Sequence, residues 1–108
     1  MKFKVTAIHA TKPQFFYVGT DEEKASVKSN IFTEEYDRVA NLEIDAETVE
    51  EALNKAYKLT NHIDQDWKLN KEVKSYLRER NRSTSVGDVF MVGAGTHYVV
   101  AQFGFDKI

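Results

Sequence analysis

Hydrophobic and polar residues alternate at the start of the chain. Over residues 2–9, apolar side chains first occupy odd positions and charged or hydroxyl side chains even ones, which predicts a half-buried β-strand. A similar alternation over 38–44 predicts another strand. Between them, the aromatic run 14–18 favours a short strand, and 22–28 favours a short helix with Asp21 as its N-cap.

The next apolar residues have helical spacing. They recur at i, i+3, i+4, i+7 and i+8, which places them on one face of a helix. This stripe consists of Val49, Ala52, Leu53, Ala56 and Tyr57. Acidic residues near its start and lysines near its end suit the helix dipole. We predict a helix with Asp45 as the N-cap and Asn61 as the C-terminal stop.

A further helix is predicted to begin at Asn70, an N-cap residue, and to end near 80–81. Val73, Tyr76 and Leu77 would share its buried face.

The C-terminal segment reads as a β-hairpin. Two β-rich runs, 86–92 and 96–103, flank a turn containing two glycines. Both faces of these runs are largely apolar, which is typical of strands covered on both sides in the centre of a sheet. Gly104 and Phe105 would close the run with a kink and an anchoring side chain.

The order of elements is strand, strand, strand, helix, helix, strand, strand. It predicts an α+β fold: a mainly antiparallel sheet with two or three helices packed on one face and a C-terminal β-hairpin. With 108 residues and 42% hydrophobic content, the chain is expected to form a single domain over residues 1–108.

Composition narrows the functional classes. The absence of cysteine excludes disulfides, thiol catalysis and thiolate metal sites, and it fits a reducing compartment. A net charge of −2 does not favour wholesale electrostatic binding of nucleic acid. No stretch approaches the ~20 apolar residues of a membrane span, and the alternating N-terminus is unlike a signal peptide. We therefore expect a cytoplasmic protein without membrane association.

The strongest candidate site is the turn that leads into the hairpin. Arginine forks match oxyanions, and turn amides form concave anion sites. The site would comprise Arg78, Arg80, Arg82, Ser83, Thr84, Ser85 and Gly87. A structural alternative is that the arginines are solvated at a helix end while the hydroxyls satisfy the turn backbone. The segment is not a P-loop, because the second glycine and the lysine of that motif are missing.

The polar connector 62–69 holds the only tryptophan. His62, Asp64 and Asp66 invite a metal interpretation, but one flexible loop fixes no ligand geometry. Trp67 is interpreted either as a plug over the end of a helix or as an interface anchor.

No complete catalytic set is recognisable. Ser83, Thr84 and Ser85 have no histidine near them in sequence, and no carboxylate pair has the context of a tuned acid and base. His9 and His97 both fall on predicted strands and would meet only if those strands were neighbours. We expect a non-enzymatic protein that needs no cofactor.

The segments RSTSVGDVF and THYVVAQFGFDKI carry a resemblance to the YodL-like domain. The matching positions are Arg82, Ser83, Ser85, Val86, Gly87, Asp88, Val89, Tyr98, Gly104 and Phe105. Upstream, LTNHIDQDW resembles small bacteriophage proteins, so the resemblance covers residues 59–108. It implies a phage or mobile-element protein. For bacterial members, the family name suggests an influence on cell shape.

These observations predict a small interaction protein that binds a host protein in the cytoplasm. Its contact surface would combine Trp67, the arginines at 78–82 and the turn at 83–88. One alternative is a nucleotide or nucleic-acid module that uses the turn at 82–88 as an anion site. A hydrolase or metal-dependent enzyme is a further alternative.

Overall fold

The computed structural model describes residues 1–12, 19–61, 67, 70–76 and 82–108. In these ranges the chain forms six strands and two helices. In chain order the elements are β1 (Lys2–Ala10), α1 (Asp21–Asn30), β2 (Tyr36–Asp45), α2 (Val49–Thr60), β3 (Val73–Tyr76), β4 (Val89–Val92), β5 (Thr96–Val100) and β6 (Phe105–Lys107).

All six strands belong to one antiparallel sheet with the order β3-β2-β1-β4-β5-β6. The central strand β1 pairs with β2 on one side and with β4 on the other, where Ala7 lies opposite Phe90. A register shift between Ala7 and Ile8 marks a bulge in the β1–β2 pair. β4 is therefore central, as its two apolar faces predict.

Each face of the sheet carries its own hydrophobic cluster. On one side, Val5, Phe90 and Ile44 pack with Leu53 and Ala56 of α2, which we call the α2 face. The other side, the α1 face, buries strand residues against Val27 and Ile31 at the end of α1. The strand residues of that second cluster are Ile8, Ala10, Tyr36, Val89 and Val99.

Threonines cap both helices. The Thr20 hydroxyl accepts from the Glu23 amide, and the Glu23 carboxylate accepts from the Thr20 amide, which completes a capping box. Thr48 caps α2 by accepting from the Glu51 amide. The predicted caps Asp21 and Asp45 are therefore wrong: Asp21 is the first residue of α1, and Asp45 ends β2.

The predicted α+β class, the antiparallel sheet and the C-terminal hairpin are confirmed. One detail differs: the prediction packed the helices together, whereas α1 and α2 contribute to clusters on opposite faces. Both faces of the central strands are apolar, so each face needs its own cover.

The helix predicted from Asn70 is wrong over the described residues. Val73 pairs with Leu42 and Tyr76 with Ala40, so this segment is the edge strand β3. Pairing with the exposed edge of β2 satisfies its backbone, which overrides the weak helical pattern of three apolar residues. The end of that predicted helix, 77–81, and the predicted strand at 14–18 lie outside the described residues.

The C-terminus adds a strand that the sequence did not predict. After the turn at Gly104, where φ is 90°, β6 pairs with β5 and brings Phe105 against the α2 face. The Phe105 ring lies 6.1 Å from the ring of Phe90, in the anchoring position that was predicted. Within the described ranges, neither helix has the length and apolar character needed to cross a membrane.

Candidate functional site

The described residues of the predicted site do come together, around the carboxylate of Asp88. Arg78 and Arg80 lie outside the described residues. The residues grouped near Asp88 are Trp67, Arg82, Ser83, Thr84, Ser85 and Gly87. We call this group, with Asp88, the Arg82–Asp88 anchor.

The Asp88 carboxylate, which is almost fully buried, has five donors around it, the weakest being the Ser85 hydroxyl at 3.4 Å from Oδ2. Arg82 donates from Nη2 to Oδ1 over 2.7 Å and from Nη1 to Oδ2. The Ser85 amide donates to Oδ2 over 2.8 Å, and the Ala10 amide at the end of β1 donates to Oδ1 over 2.9 Å. A second bond runs from Arg82 Nη2 to the Ala10 carbonyl. The turn is therefore tied to the central strand of the sheet.

The donors that the sequence suggested for an external anion are occupied by the chain's own Asp88 carboxylate. The arginine fork and the turn amide take the places expected around an oxyanion. The bond with Asp88 also raises the pKa of Arg82, and burial opposes that rise. An external phosphate or carboxylate would have to displace Asp88 from these donors.

Trp67 is part of this anchor and is only 2% exposed. Its indole Nε1 donates to the Arg82 carbonyl over 3.1 Å, and its ring packs in the α2-face cluster. The buried ring does not present the exposed interface surface that one interpretation required. Its burial favours the other interpretation, a plug over the end of a helix, and the ring shares a cluster with Leu53 and Ala56 of α2.

A buried histidine and threonine adjoin the tryptophan. His9 Nε2 lies 2.8 Å from Thr84 Oγ1, and the His9 ring meets the Trp67 ring edge-on with centroids 6.2 Å apart. Burial lowers the pKa of His9 to about 4, where Asp88 opposes the shift and Arg82 adds to it. A neutral imidazole beside a hydroxyl is the start of a nucleophile–base pair. The orienting acid is missing among the described residues, because Asp88 is bonded to Arg82 and to backbone amides.

His9 and His97 do not meet. β4 separates their strands. The His9 ring contacts Trp67 of the α2-face cluster, whereas the His97 ring contacts Phe32, next to Ile31 of the α1-face cluster. The metal interpretation of His62, Asp64 and Asp66 lies outside the described residues. Among those that are described, no three histidine or carboxylate side chains are grouped closely enough to hold a metal ion.

A different surface, which the sequence did not indicate, lies on the α1 face beside the β4–β5 turn. It is a cleft of about 450 Å³ between the end of α1 and the hairpin, and we call it the hairpin cleft. Its described lining consists of Lys28, Ile31, Phe32, Arg38, Met91, Ala94, Gly95, His97 and Ile108.

Phe32 forms one rim of the hairpin cleft and is 71% exposed. Its ring meets the His97 ring almost perpendicularly, with centroids 5.5 Å apart. The guanidinium carbon of Arg38 stands 5.8 Å from the centre of the same ring. Phe32 is therefore held between two polar groups while most of its apolar surface faces solvent.

The hairpin cleft is cationic. None of the described lining residues has an acidic side chain, although the chain as a whole carries a net charge of −2. His97 is 8% exposed, and its Nε2 atom is buried without a hydrogen-bond partner in the described part of the molecule. Burial and the neighbouring Arg38 lower the pKa of His97, opposed by the Gly95 backbone. The positive charge of the cleft therefore comes from Lys28 and Arg38.

A larger cleft of about 550 Å³ lies beside α2 and β3 on the other side of the molecule. It contains five lysines and three carboxylates, and part of its charge is already paired. Lys2 Nζ lies 3.0 Å from Glu43, and Lys55 Nζ lies 3.1 Å from Glu51. Its mixed charge distinguishes it from the hairpin cleft.

Comparison with known proteins gives no match: no protein-family model, no curated protein and no solved structure matches the chain.

Proposed function

We propose that this chain is a non-enzymatic interaction protein that binds a segment of a partner protein in the hairpin cleft. The observation that carries the proposal is the exposed Phe32 ring at the rim of a cleft whose floor is apolar. Aromatic residues, methionine and arginine are enriched at protein interfaces, and Phe32, Met91 and Arg38 supply all three here.

The hairpin cleft supports the proposal better than the turn at 82–88. Binding energy is concentrated in residues that become buried on association, so an anchor must be exposed beforehand. Phe32 meets that condition, whereas Trp67 is already buried within its own chain. The arginine fork that would grip a nucleotide phosphate already holds Asp88. The Arg82–Asp88 anchor is thus better explained as a structural device than as a nucleotide site.

The biological setting is part of the same proposal. The resemblance of residues 59–108 to the YodL-like domain and to small bacteriophage proteins supports an origin in a phage or mobile element. For a chain of that origin we propose a host protein as the partner and the host cytoplasm as the location.

Selection from a displayed library of random peptides tests the proposal, with the purified chain as bait. We expect the wild-type chain to enrich a peptide family, and Phe32→Ala to weaken binding of those peptides roughly tenfold, as loss of an interface anchor does. Phe103→Ala is the matched control, because Phe103 is 90% exposed and is not among the described residues that line the cleft. Equal affinities for wild type and Phe32→Ala would remove the cleft as the binding surface.

A further inference from the structure

The chemistry of the hairpin cleft specifies more than a generic partner. On the basis of the proposed function, we infer that the bound segment carries a carboxylate next to an apolar side chain. The carboxylate would pair with Arg38 and Lys28, and the apolar side chain would pack on Phe32.

The charge of the cleft supports the carboxylate. Arg38 is exposed, and its guanidinium lies over the face of the Phe32 ring. The described residues place no carboxylate within ion-pairing distance of Arg38 or Lys28. A guanidinium in this position keeps its forked donors free, and that fork matches a carboxylate in two parallel hydrogen bonds.

His97 adds an independent indication that something polar is bound here. A buried nitrogen without a hydrogen-bond partner is unfavourable, and native proteins rarely leave one. His97 Nε2 is in that position on the wall of the cleft, beneath the Phe32 ring that meets it. Once the Phe32 ring, which meets His97 in the free chain, turns to pack on the bound side chain, a backbone amide or carbonyl of the segment would supply the missing hydrogen bond.

The apolar lining favours a peptide over a nucleic acid. Isoleucine, methionine and phenylalanine side chains form much of the wall, and the volume of about 450 Å³ lies in the range of ligand pockets. Nucleic-acid binding depends on a longer run of phosphate contacts than two cations provide.

An exchange of charges between chain and peptide tests the inference. The probes are the peptides selected with the wild-type chain, and each one is also synthesised with its acidic residues changed to lysine. We expect the selected peptides to be enriched in Asp and Glu next to apolar residues. Arg38→Glu should weaken binding of the acidic peptide about tenfold and strengthen binding of its lysine form about tenfold. Lys58→Glu on α2 makes the same charge change on the opposite face and should leave both affinities unchanged.

The contribution of His97 is tested with His97→Phe, which removes the unpaired nitrogen. We expect the peptide to bind roughly fivefold more weakly while thermal unfolding stays cooperative. Unchanged affinity would refute the polar contact at His97.

The outcomes separate the two proposals. If the selected peptides show no acidic enrichment and Arg38→Glu binds them as well as wild type does, the inference fails while the Phe32 result still supports the interaction protein. If no peptide family is enriched, both fail. Displacement of the peptide by a single-stranded oligonucleotide, with the same sensitivity to Arg38→Glu, would overturn the carboxylate in favour of a phosphate backbone.

Discussion

Replacement of Arg82 by alanine tests the internal ion pair most directly. The substitution removes both guanidinium donors to Asp88 and the bond to the Ala10 carbonyl. The Asp88 carboxylate would keep two backbone donors, from Ser85 and Ala10, and would lose the positive charge that compensates its burial.

The expected loss follows from burial. Removing one partner of a fully buried ion pair costs about 3–5 kcal/mol, because the other charge is left uncompensated. The Asp88 side chain is 2% exposed and the Arg82 side chain is 36% exposed, so water screens the pair in part. We therefore expect Arg82→Ala to lower the free energy of unfolding by about 2–3 kcal/mol.

Urea denaturation followed by circular dichroism measures this loss, and Asp88→Asn completes a double-mutant cycle. Because the uncharged amide no longer needs the guanidinium, Arg82→Ala should cost about 1–2 kcal/mol less in the Asp88→Asn background than in wild type. The exposed pair Lys2–Glu43 provides the control, since Lys2→Ala should leave the urea midpoint unchanged. Additive losses in the cycle would refute the idea that Arg82 compensates the Asp88 charge.

Three further predictions concern this anchor and the His9 side chain that adjoins it. The pKa of His9 is about 4 in the folded chain against an ordinary 6.5, so the unfolded chain binds more protons between these two values. The free energy of unfolding should therefore be highest above pH 6.5 and fall by about 3 kcal/mol towards pH 4. Urea titrations at each pH measure this fall, and His9→Gln should make it smaller. Trp67→Phe should lower the free energy of unfolding by about 1–2 kcal/mol, because the Arg82 carbonyl loses its hydrogen bond. In the wild-type chain, Trp67 fluorescence should resist quenching by acrylamide, and ready quenching would contradict its burial. Gly87 has a φ of 94°, so Gly87→Ala should lower the free energy of unfolding by about 1–2 kcal/mol. An unchanged melting temperature would show that the turn relaxes to accept the side chain.

Much of the secondary structure could be predicted from local patterns in the sequence. The alternation over 2–9, the helical stripe that begins at Val49 and the glycine turn at 93–95 all gave the right element. The strand alternation and the helical stripe predicted the right elements because each is long enough to bury one continuous face. The helix predicted after Asn70 was wrong because three apolar residues fit the helical period and the strand period equally well. Pairing with the free edge of β2 made this segment a strand.

The candidate sites show a different limit. The sequence predicted oxyanion chemistry at the turn 82–88, and the donors are there. It could not show that Asp88 would occupy them, because two of the contacts that fix the carboxylate and its arginine involve the Ala10 backbone on β1. The hairpin cleft was missed for the same reason. Phe32 and His97 are far apart in sequence, and only the packing of α1 over the sheet brings them together.

The pairing of β1 with β4 has a consequence for the order of folding. β1 is made on the ribosome before β4, yet Thr6 pairs with Met91, so the centre of the sheet cannot close until the hairpin has emerged. Contacts of such sequence separation make folding slow, typically milliseconds to seconds. Until then the apolar β1–β2 ribbon has an unpaired edge that can join another chain. We expect high expression rates to favour aggregation, and slower synthesis or early chaperone binding to improve the yield of folded protein.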